Sequence, residues 1–305
     1  MKEIRLSQEL TDAETDLYAA TFMDDSHYDT LVTESADVYK PNGDILIAYR
    51  KHAIAKELCE ASYPVFRDAA RSTNNRGMAA GKLNDKDAMP WEVKQENQSM
   101  TRFRQQKQDG TTSNTSRGKE VMSSVIGYFD RAARFPYCRL TAYNLDKPGE
   151  FAKVMPFIRR VNTVFQETVP TRHAAQMDFI QRTHPDFIIH GTAFTTVTVN
   201  KNFQTAVHKD AGDLKQGFGV LSCMRAGHYT GGYLVFPKYR VAVDLGTGDV
   251  LCADVHEWHG NTRMKGKLGT FERISLVFYY REKMIECGSP EEEAERANQQ
   301  RNTVA

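Results

Sequence analysis

Hydrophobic positions follow different periods in different parts of the chain. Before residue 185 the clearest signal is helical, and it predicts one amphipathic helix over 151–168. The apolar positions of that helix are Phe151, Val154, Met155, Ile158, Val161 and Phe165. A shorter helical pattern through Leu58 and Cys59 follows a short apolar run at 44–49. The first part of the chain therefore mixes helix and strand.

After Pro185 the pattern becomes strand-like, with short runs of β-branched and aromatic residues separated by glycine-rich turns. The predicted strands are 187–189, 194–199, 219–223, 233–236, 239–243, 249–253 and 274–280. Many short, evenly spaced strands are typical of a jelly roll or barrel. We therefore predict an α+β fold whose core is a double-stranded β-helix, or jelly roll, with flanking N-terminal helices.

This pattern predicts a single domain over 1–290. Residues 1–185 would form its helical and basic-loop flank, and 186–284 would carry the jelly-roll core. The remaining residues, 291–305, are highly charged and predict either a helix or a disordered end.

Charge is nearly balanced, with 40 Lys+Arg against 39 Asp+Glu, but residues 71–119 form a hydrophilic, predominantly basic stretch. Its basic residues are Arg71, Arg76, Lys82, Lys86, Lys94, Arg102, Arg104, Lys107, Arg117 and Lys119. We interpret this stretch as one or several loops that offer a surface to an anionic partner. The alternative is a solvated segment without a partner.

No run approaches the roughly 18 apolar residues of a membrane span, and the first residues lack a signal-peptide core. We therefore expect an intracellular protein, cytoplasmic or nuclear, with no membrane partner. The five cysteines are widely spaced and never form a CxxC pair. They predict reduced, mostly buried thiols rather than disulfides or a zinc site.

Two histidines and a carboxylate carry the candidate chemistry. His208 and Asp210 form an H-x-D motif just past a predicted strand, and His259 follows after the intervening strands. Two imidazoles and one carboxylate can bind one face of an Fe(II) ion and leave the other positions open, as in non-haem oxygenases. His256 competes with His259 for the third place, and Asp254 could act as a decoy carboxylate. We favour His259 because the Gly-Asn-Thr turn after it can present a ligand at a strand end.

Arg273 opens the last predicted strand, and alternation places Ser275 on the same face. A guanidinium with a neighbouring hydroxyl can anchor a carboxylate, such as the distal carboxylate of 2-oxoglutarate. Each of these motifs alone is weak. Because all of them occur in the order that this kind of site requires, a chance match of the whole set is only a minor alternative.

With these motifs the sequence resembles the TET/JBP family of Fe(II)- and 2-oxoglutarate-dependent nucleic-acid base dioxygenases. The similarity is most specific in HKDAGD (208–213), EWHGNT (257–262) and ERISLVFYYREKM (272–284). The pieces STNNRGMAAG (72–81), SVIGYFDR (124–131) and PYCRLTAYN (136–144) are similar to the JBP-like and algal branches.

The resemblance implies iron ligands His208, Asp210 and His259, with 2-oxoglutarate held by Arg273 and Ser275. It implies that Tyr279 stacks on a flipped base, whose edge would meet Asp213 and Arg281. The animal enzymes of the family have an asparagine and a histidine at those two places. Arg76 could hold the cosubstrate or a phosphate, and a plain surface arginine is the alternative.

An ionised Asp213 would accept a hydrogen bond from the N4 amino group of cytosine, whereas thymine offers the O4 acceptor there. On that basis the sequence predicts hydroxylation of 5-methylcytosine in duplex DNA, with the base flipped out of the helix. The algal branch shares an acidic residue at this place and uses ascorbate as its cosubstrate, so ascorbate stays open beside 2-oxoglutarate.

Three alternatives also remain open. They are hydroxylation of thymine or of an RNA base by the same chemistry, hydroxylation of a protein side chain, and a catalytically silent reader of modified DNA.

Overall fold

The computed structural model describes residues 1–84, 86, 88–94 and 101–304, and these form seventeen strands and six α-helices. The strands are β1 (Lys2–Arg5), β2 (Thr30–Val32), β3 (Ala36–Tyr39), β4 (Ile45–Arg50), β5 (Ser72–Thr73), β6 (Glu92–Lys94), β7 (Phe103–Gln106), β8 (Thr112–Arg117), β9 (Val121–Phe129), β10 (Arg139–Leu140), β11 (Thr196–Lys201), β12 (Gly219–Gly227), β13 (Leu234–Phe236), β14 (Val241–Val243), β15 (Val250–Ala253), β16 (Gly260–Asn261) and β17 (Phe271–Tyr279). The helices are α1 (Asp12–Asp16), α2 (Lys56–Ala69), α3 (Ala142–Asp146), α4 (Pro148–Thr168), α5 (Pro170–Arg182) and α6 (Pro290–Val304).

Two sheets face each other and enclose a cavity. The larger has ten strands in the order β1-β3-β4-β15-β12-β17-β11-β9-β10, with β5 paired to β9, and the smaller has the order β16-β13-β14-β2. Side chains from both sheets line the cavity between them. This is the α+β arrangement with a two-sheet, jelly-roll-like core that the strand pattern predicts.

Alternation along β17 separates the helical layer from the cavity. Ile274, Leu276 and Phe278 are buried in the core that contains α2 and α4, whereas Arg273 and Ser275 point to the cavity. The ring of Phe278 stacks on Phe157 of α4 at a centroid distance of 6.4 Å. Truncating a buried phenylalanine of this kind to alanine costs about 3–5 kcal/mol, so the helices hold the strand that carries the site.

Helix α4 confirms the helix predicted over 151–168 and extends it by three residues at its start. The strand expected at 187–189 is wrong. Residues Pro185–Phe187 form a 3-10 turn instead, and the apolar run that follows reaches the core without joining a ladder, since Phe187 and Ile189 are both buried.

Part of the predicted basic loop is also strand. Strands β6, β7 and β8 form a separate three-stranded sheet within 71–119, and Phe103 is buried there beneath Arg117. These strands are polar, so they lack the apolar alternation by which strands are recognised. Residues 85, 87 and 95–100 of this stretch, and Ala305 of the tail, lie outside the described residues.

The large sheet is not confined to 186–284, because β1, β3, β4 and β9 all belong to it. The boundaries of a single domain over 1–290 stay a prediction. Among the described residues, no helix is both long and apolar enough to cross a membrane.

The C-terminal segment is a helix rather than a disordered end. Ser289 and Glu292 form a capping box at its start: the Ser289 hydroxyl accepts from the Glu292 N–H at 3.3 Å, and the Glu292 carboxylate accepts from the Ser289 N–H at 2.8 Å. Inside the helix, Glu293 is buried and accepts hydrogen bonds from Arg131 and from the backbone N–H of Cys138.

The expectation that all cysteines are reduced thiols is wrong for one pair. Cys138 and Cys287 form a disulfide across 149 residues, with 5.7 Å between their Cα atoms. Cys59, Cys223 and Cys252 are buried free thiols, as expected. Spacing cannot reveal a bridge between residues so far apart in the chain, because only the fold brings their Cβ atoms together.

Candidate active site

His208, Asp210 and His259 converge at the cavity. His208 and His259 pair in a short antiparallel bridge, in which the N–H of each donates to the carbonyl of the other at 2.9 and 3.0 Å. The His208 Nε2 atom lies 3.4 Å from Asp210 Oδ1, and the His259 Nε2 atom lies 3.7 Å from Asp210 Oδ2. One ligand atom from each of the three residues lies within 4.8 Å of the others.

Backbone carbonyls set the orientation of both imidazoles. The Nδ1 atom of His208 lies 2.8 Å from the carbonyl of Ala206, and Nδ1 of His259 lies 2.9 Å from that of Glu257. A carbonyl only accepts, so each Nδ1 carries a proton, and Nε2 is the nitrogen of each ring that faces Asp210. This is the usual support for a metal-binding histidine.

The three residues affect one another's protonation. Burial and the neighbouring His208 lower the pKa of His259 to about 4, so its imidazole is neutral near pH 7. Burial opposes ionisation of Asp210, but its hydrogen bond with His208 and the charges of the nearby histidines together outweigh burial and lower the pKa of Asp210 to about 2. Burial acts against a charged His208 as well, yet the hydrogen bond with Asp210, the charge of Asp210 and the hydrogen bond with Ala206 together raise the pKa of His208.

This donor set fits Fe(II). Two imidazole nitrogens and a carboxylate oxygen converge from one side, and the cavity leaves room for further ligands opposite them. His256 does not join this cluster, because its ring lies 3.3 Å from Asp254 Oδ1 and 3.3 Å from the carbonyl of Asp213.

The cavity has a volume of about 360 Å³ and is walled by both sheets. Arg273 and Ser275 of β17 both line it, as their spacing predicted. Arg273 is only 4% exposed, and its buried Nε atom has no hydrogen-bond partner among the described residues. A buried, unpartnered guanidinium nitrogen leaves an incomplete hydrogen-bond set, which an acidic ligand would complete.

The four residues predicted to meet substrate also line this cavity: Asp213, Tyr279, Arg281 and Arg76. Two of them are held by neighbours, since the Tyr279 hydroxyl lies 3.2 Å from Thr198 Oγ1 and Arg281 Nε donates to Asp130 at 2.7 Å. The two others have unpartnered atoms. Within the part of the chain that the structure describes, the buried Asp213 Oδ2 and Arg76 Nε have no hydrogen-bond partners, although an Arg76 Nη atom donates to the Ser124 carbonyl at 3.0 Å.

The premise of an ionised Asp213 is not supported by its surroundings. Burial and the nearby charge of Asp210 raise the pKa of Asp213 well above its ordinary value, and Arg281 opposes this only in part. The argument from sequence that an ionised Asp213 selects cytosine therefore loses its basis.

Two polar residues of the cavity wall were missed from the sequence. Asn261 and Asn200 both line the cavity, and the Asn261 side-chain amide donates to the Gly232 carbonyl at 3.2 Å. Asn261 lies two positions after His259 on a short strand, so alternation toward one face could have identified it. Asn200 lies in β11, where burial on both faces hides the alternation.

Comparison with known proteins supports this interpretation. The family model Tet_JBP, described as the oxygenase domain of the 2OGFeDO superfamily, matches residues 124–282, slightly more than half of the chain. Thymine dioxygenase JBP1 of Trypanosoma brucei brucei is 36% identical over 169 residues, which are 54% of this chain and 20% of that protein. Bifunctional helicase and thymine dioxygenase JBP2 of Leishmania tarentolae is 28% identical over 256 residues, or 82% of this chain and 20% of that protein. The chain thus spans about a fifth of the length of these relatives.

Solved structures with a similar fold include one bound to DNA. It is NgTET1 in complex with 5mC DNA, which aligns with a TM-score of 0.55 at 12% identity and covers 95% of this chain and 100% of that chain. This likeness confirms the predicted fold class.

Proposed function

Because the chain belongs to the Tet_JBP family, the oxygenase domain of the 2OGFeDO superfamily, we propose that it hydroxylates the 5-methyl group of thymine in DNA. The superfamily uses Fe(II) and 2-oxoglutarate. The observation that carries the proposal is the His208, Asp210 and His259 cluster, which opens into the same buried cavity as Arg273 and Tyr279.

His208, Asp210 and His259 would hold the iron. When bound, Fe(II) with 2-oxoglutarate and O2 supplies the oxidising power that replaces a methyl hydrogen by hydroxyl and releases succinate and CO2. Arg273 would anchor the far carboxylate of 2-oxoglutarate, and the Ser275 hydroxyl would add a hydrogen bond. No described residue pairs with Nε of the buried Arg273, so the carboxylate would complete its hydrogen bonding.

Tyr279 would provide the face on which the flipped base stacks. Its hydroxyl contacts Thr198 on the neighbouring strand, which restrains the ring in the cavity wall. The base edge would then meet Arg76, Asp213 and Arg281. The Watson–Crick edge of thymine offers two acceptors on either side of an N–H donor, and two guanidiniums with one carboxyl group offer the complementary set.

Thymine is the preferred substrate because the relatives compared above are named thymine dioxygenases. The second candidate is 5-methylcytosine. The Asp213 carboxyl keeps an accepting oxygen in either protonation state, and among the described residues its buried Oδ2 has no hydrogen-bond partner. This oxygen could accept from the N4 amino group while the two arginines donate to the ring nitrogen and to O2. The donor and acceptor groups of the cavity suit either pyrimidine, so a direct comparison of the two substrates is needed.

The DNA duplex would bind at the basic surface formed by described residues of 71–119. The guanidinium of Arg102 lies beside Gly77, at the turn that leads from Arg76 into the cavity wall, so this surface adjoins the cavity. Trp91 is 55% exposed on the same segment. A methyl group inside the duplex cannot reach a cavity between two sheets, so the base must be extruded. Basic side chains would hold the phosphates, and an exposed aromatic would provide a stacking surface.

Mass spectrometry of nucleosides tests the proposal. The protein is loaded with Fe(II) and incubated with O2 and two matched duplexes, one with thymine and one with 5-methylcytosine as the only 5-methylated base. We expect 5-hydroxymethyluracil with 2-oxoglutarate, and no product from the His208→Ala variant. A third reaction replaces 2-oxoglutarate with ascorbate.

Three outcomes would change the proposal. Product from 5-methylcytosine alone would select the second candidate, and product with ascorbate alone would remove the role given to Arg273. Iron binding without oxidation of either duplex would overturn the assignment of a DNA substrate.

A further inference from the structure

We propose that Lys40 is a positioning residue that holds residues 254–257 in the conformation that supports two of the three iron ligands. Lys40 lies in the turn between β3 and β4, more than 200 positions before that loop in the chain. The inference rests on the metal site of the proposed function, but not on the identity of the substrate.

The Lys40 ammonium bridges two carboxylates of the loop. Its Nζ atom donates to Asp254 Oδ2 at 2.7 Å and to Glu257 Oε1 at 2.8 Å. The three side chains are largely buried, with exposed fractions of 12% for Lys40, 17% for Asp254 and 19% for Glu257. The Tyr239 hydroxyl donates to the same Glu257 oxygen at 2.9 Å. The loop is therefore held at both ends by one cation.

The backbone of this loop reaches two ligands. The Glu257 carbonyl accepts from Nδ1–H of His259 at 2.9 Å, which sets the direction of the imidazole. The Val255 carbonyl accepts from the backbone N–H of Asp210 at 3.1 Å, which ties the H-x-D turn to the same loop. The loop thus lies between Lys40 on one side and His259 and Asp210 on the other.

Removing the ammonium would leave two partly buried carboxylates near each other without a common counter-charge. Like charges repel strongly where water is excluded, and each carboxylate would gain by turning toward solvent. A movement of the Asp254 or Glu257 side chain away from its present position shifts the backbone of the loop, and with it the Glu257 and Val255 carbonyls. Loss of the hydrogen bond that supports a metal ligand typically weakens the metal affinity of the site about tenfold or more.

The β3–β4 hairpin, whose turn contains Lys40, also provides a matched control. Lys51 follows β4 directly and donates to Glu34 at 2.7 Å, but Glu34 is 73% exposed and neither residue lies in the ligand loop. The Lys51→Met variant loses this ion pair and a lysine beside the same hairpin, but it removes no contact to residues 254–257. A role of Lys40 limited to hairpin stability would give both lysine variants the same behaviour.

The experiment measures Co(II) binding as a spectroscopic substitute for Fe(II), using the full chain and its Lys40→Met, Lys40→Arg and Lys51→Met variants. Affinity and the visible Co(II) absorption spectrum are recorded, and circular dichroism verifies folding. We expect Lys40→Met to weaken Co(II) binding about tenfold or more and to alter the spectrum. Lys51→Met should match the unaltered chain, and Lys40→Arg should restore much of the affinity because it keeps the charge.

Unchanged affinity and spectrum in a folded Lys40→Met variant would overturn the inference. Should that variant fail to fold, Tyr239→Phe removes only the hydroxyl bonded to Glu257, and it should weaken Co(II) binding in the same direction; unchanged binding would again overturn the inference. An unaltered chain that binds no Co(II) overturns both the metal site and this inference. A chain that binds Co(II) with the expected dependence on Lys40, but oxidises neither duplex, contradicts the proposed function alone.

Discussion

Asp213 and Arg281 face each other across a single antiparallel bridge that joins the turn after the H-x-D motif to the end of β17. The neighbouring backbone hydrogen bonds are Leu214 N–H to the Tyr280 carbonyl, at 3.0 Å, and Glu282 N–H to the Gly212 carbonyl, at 3.0 Å. The bridge brings two of the three proposed base-edge residues next to each other in the cavity wall. A substitution at either residue therefore acts on a segment whose backbone is hydrogen-bonded to the segment of the other residue.

Asp213→Asn should shift the choice between the two pyrimidines. An amide always offers a donor to O4 of thymine, whereas the Asp213 carboxyl, whose pKa is raised by burial, offers one only in its protonated form. We therefore expect the ratio of thymine to 5-methylcytosine oxidation to rise. A change of about tenfold would correspond to one altered base contact. Competing duplexes in one reaction, analysed by mass spectrometry, give this ratio directly. An unaltered ratio would remove Asp213 from base selection.

His259→Ala should abolish tight metal binding, because it removes one of three ligands. His256→Ala should retain most of it, since His256 contacts Asp254 and the Asp213 carbonyl rather than the cluster. Calorimetric titration of each variant with Fe(II) under anaerobic conditions makes the comparison. The opposite ranking would mean that the wrong histidine has been assigned.

Arg273→Lys should raise KM for 2-oxoglutarate by about tenfold or more, because an ammonium cannot form the bidentate contact of a guanidinium. The affinity for DNA should not change, since Arg273 lies inside the cavity and is only 4% exposed. Steady-state kinetics with varied 2-oxoglutarate, together with DNA binding by fluorescence anisotropy, separates the two effects. Equal losses in both would indicate a general disturbance of β17.

Lys107→Ala should weaken DNA binding and lower its dependence on salt by about one phosphate contact. Lys107 is exposed on the basic surface. Lys153→Ala is the control, because Lys153 is an exposed lysine of α4, on the helical layer. Binding isotherms at several salt concentrations provide the slope. Equal slopes for the two variants would place the DNA elsewhere.

Glu293→Ala should destabilise the fold by about 3 kcal/mol at pH 7, because it leaves the partly buried Arg131 and two backbone N–H groups without their acceptor. Burial disfavours the charged form of Glu293, but these hydrogen bonds outweigh burial and hold its pKa below the ordinary value of 4.5. The stabilisation is therefore present above about pH 4.5 and is lost as the pH falls through the lower, folded-state pKa.

Urea unfolding of Glu293→Ala and of the unaltered chain between pH 7 and low pH measures this difference. The gap between the two should close in acid. Glu295→Ala, at an exposed position of the same helix, should stay near the unaltered chain throughout.

Local patterns in the sequence sufficed to predict the helix over 151–168, most of the later strands and the order of the three proposed ligands. These features depend on short-range periodicity and on residue chemistry, which the sequence displays directly. The placement of Arg273 and Ser275 on the same face of β17 also follows from the alternation of side chains along a strand.

Contacts between distant segments could not be predicted. The Cys138–Cys287 bridge and the contact of Lys40 with Asp254 join segments 149 and 214 positions apart, and nothing local marks them. The state of Asp213 depends on burial, which a turn sequence does not reveal. The strands β6 to β8 were missed because their residues are mostly polar.

The pairing of β4 with β15 limits how far the oxidising core can be separated from the rest of the chain. A fragment spanning 124–282 holds every proposed iron ligand, yet it lacks β4, and all four residues of β15 are buried. In such a fragment β15 would be an exposed, apolar edge of the sheet. Exposed edges of this kind pair with other chains, so we expect the fragment to aggregate. Transplanting the motifs into another protein therefore requires the N-terminal hairpin as well.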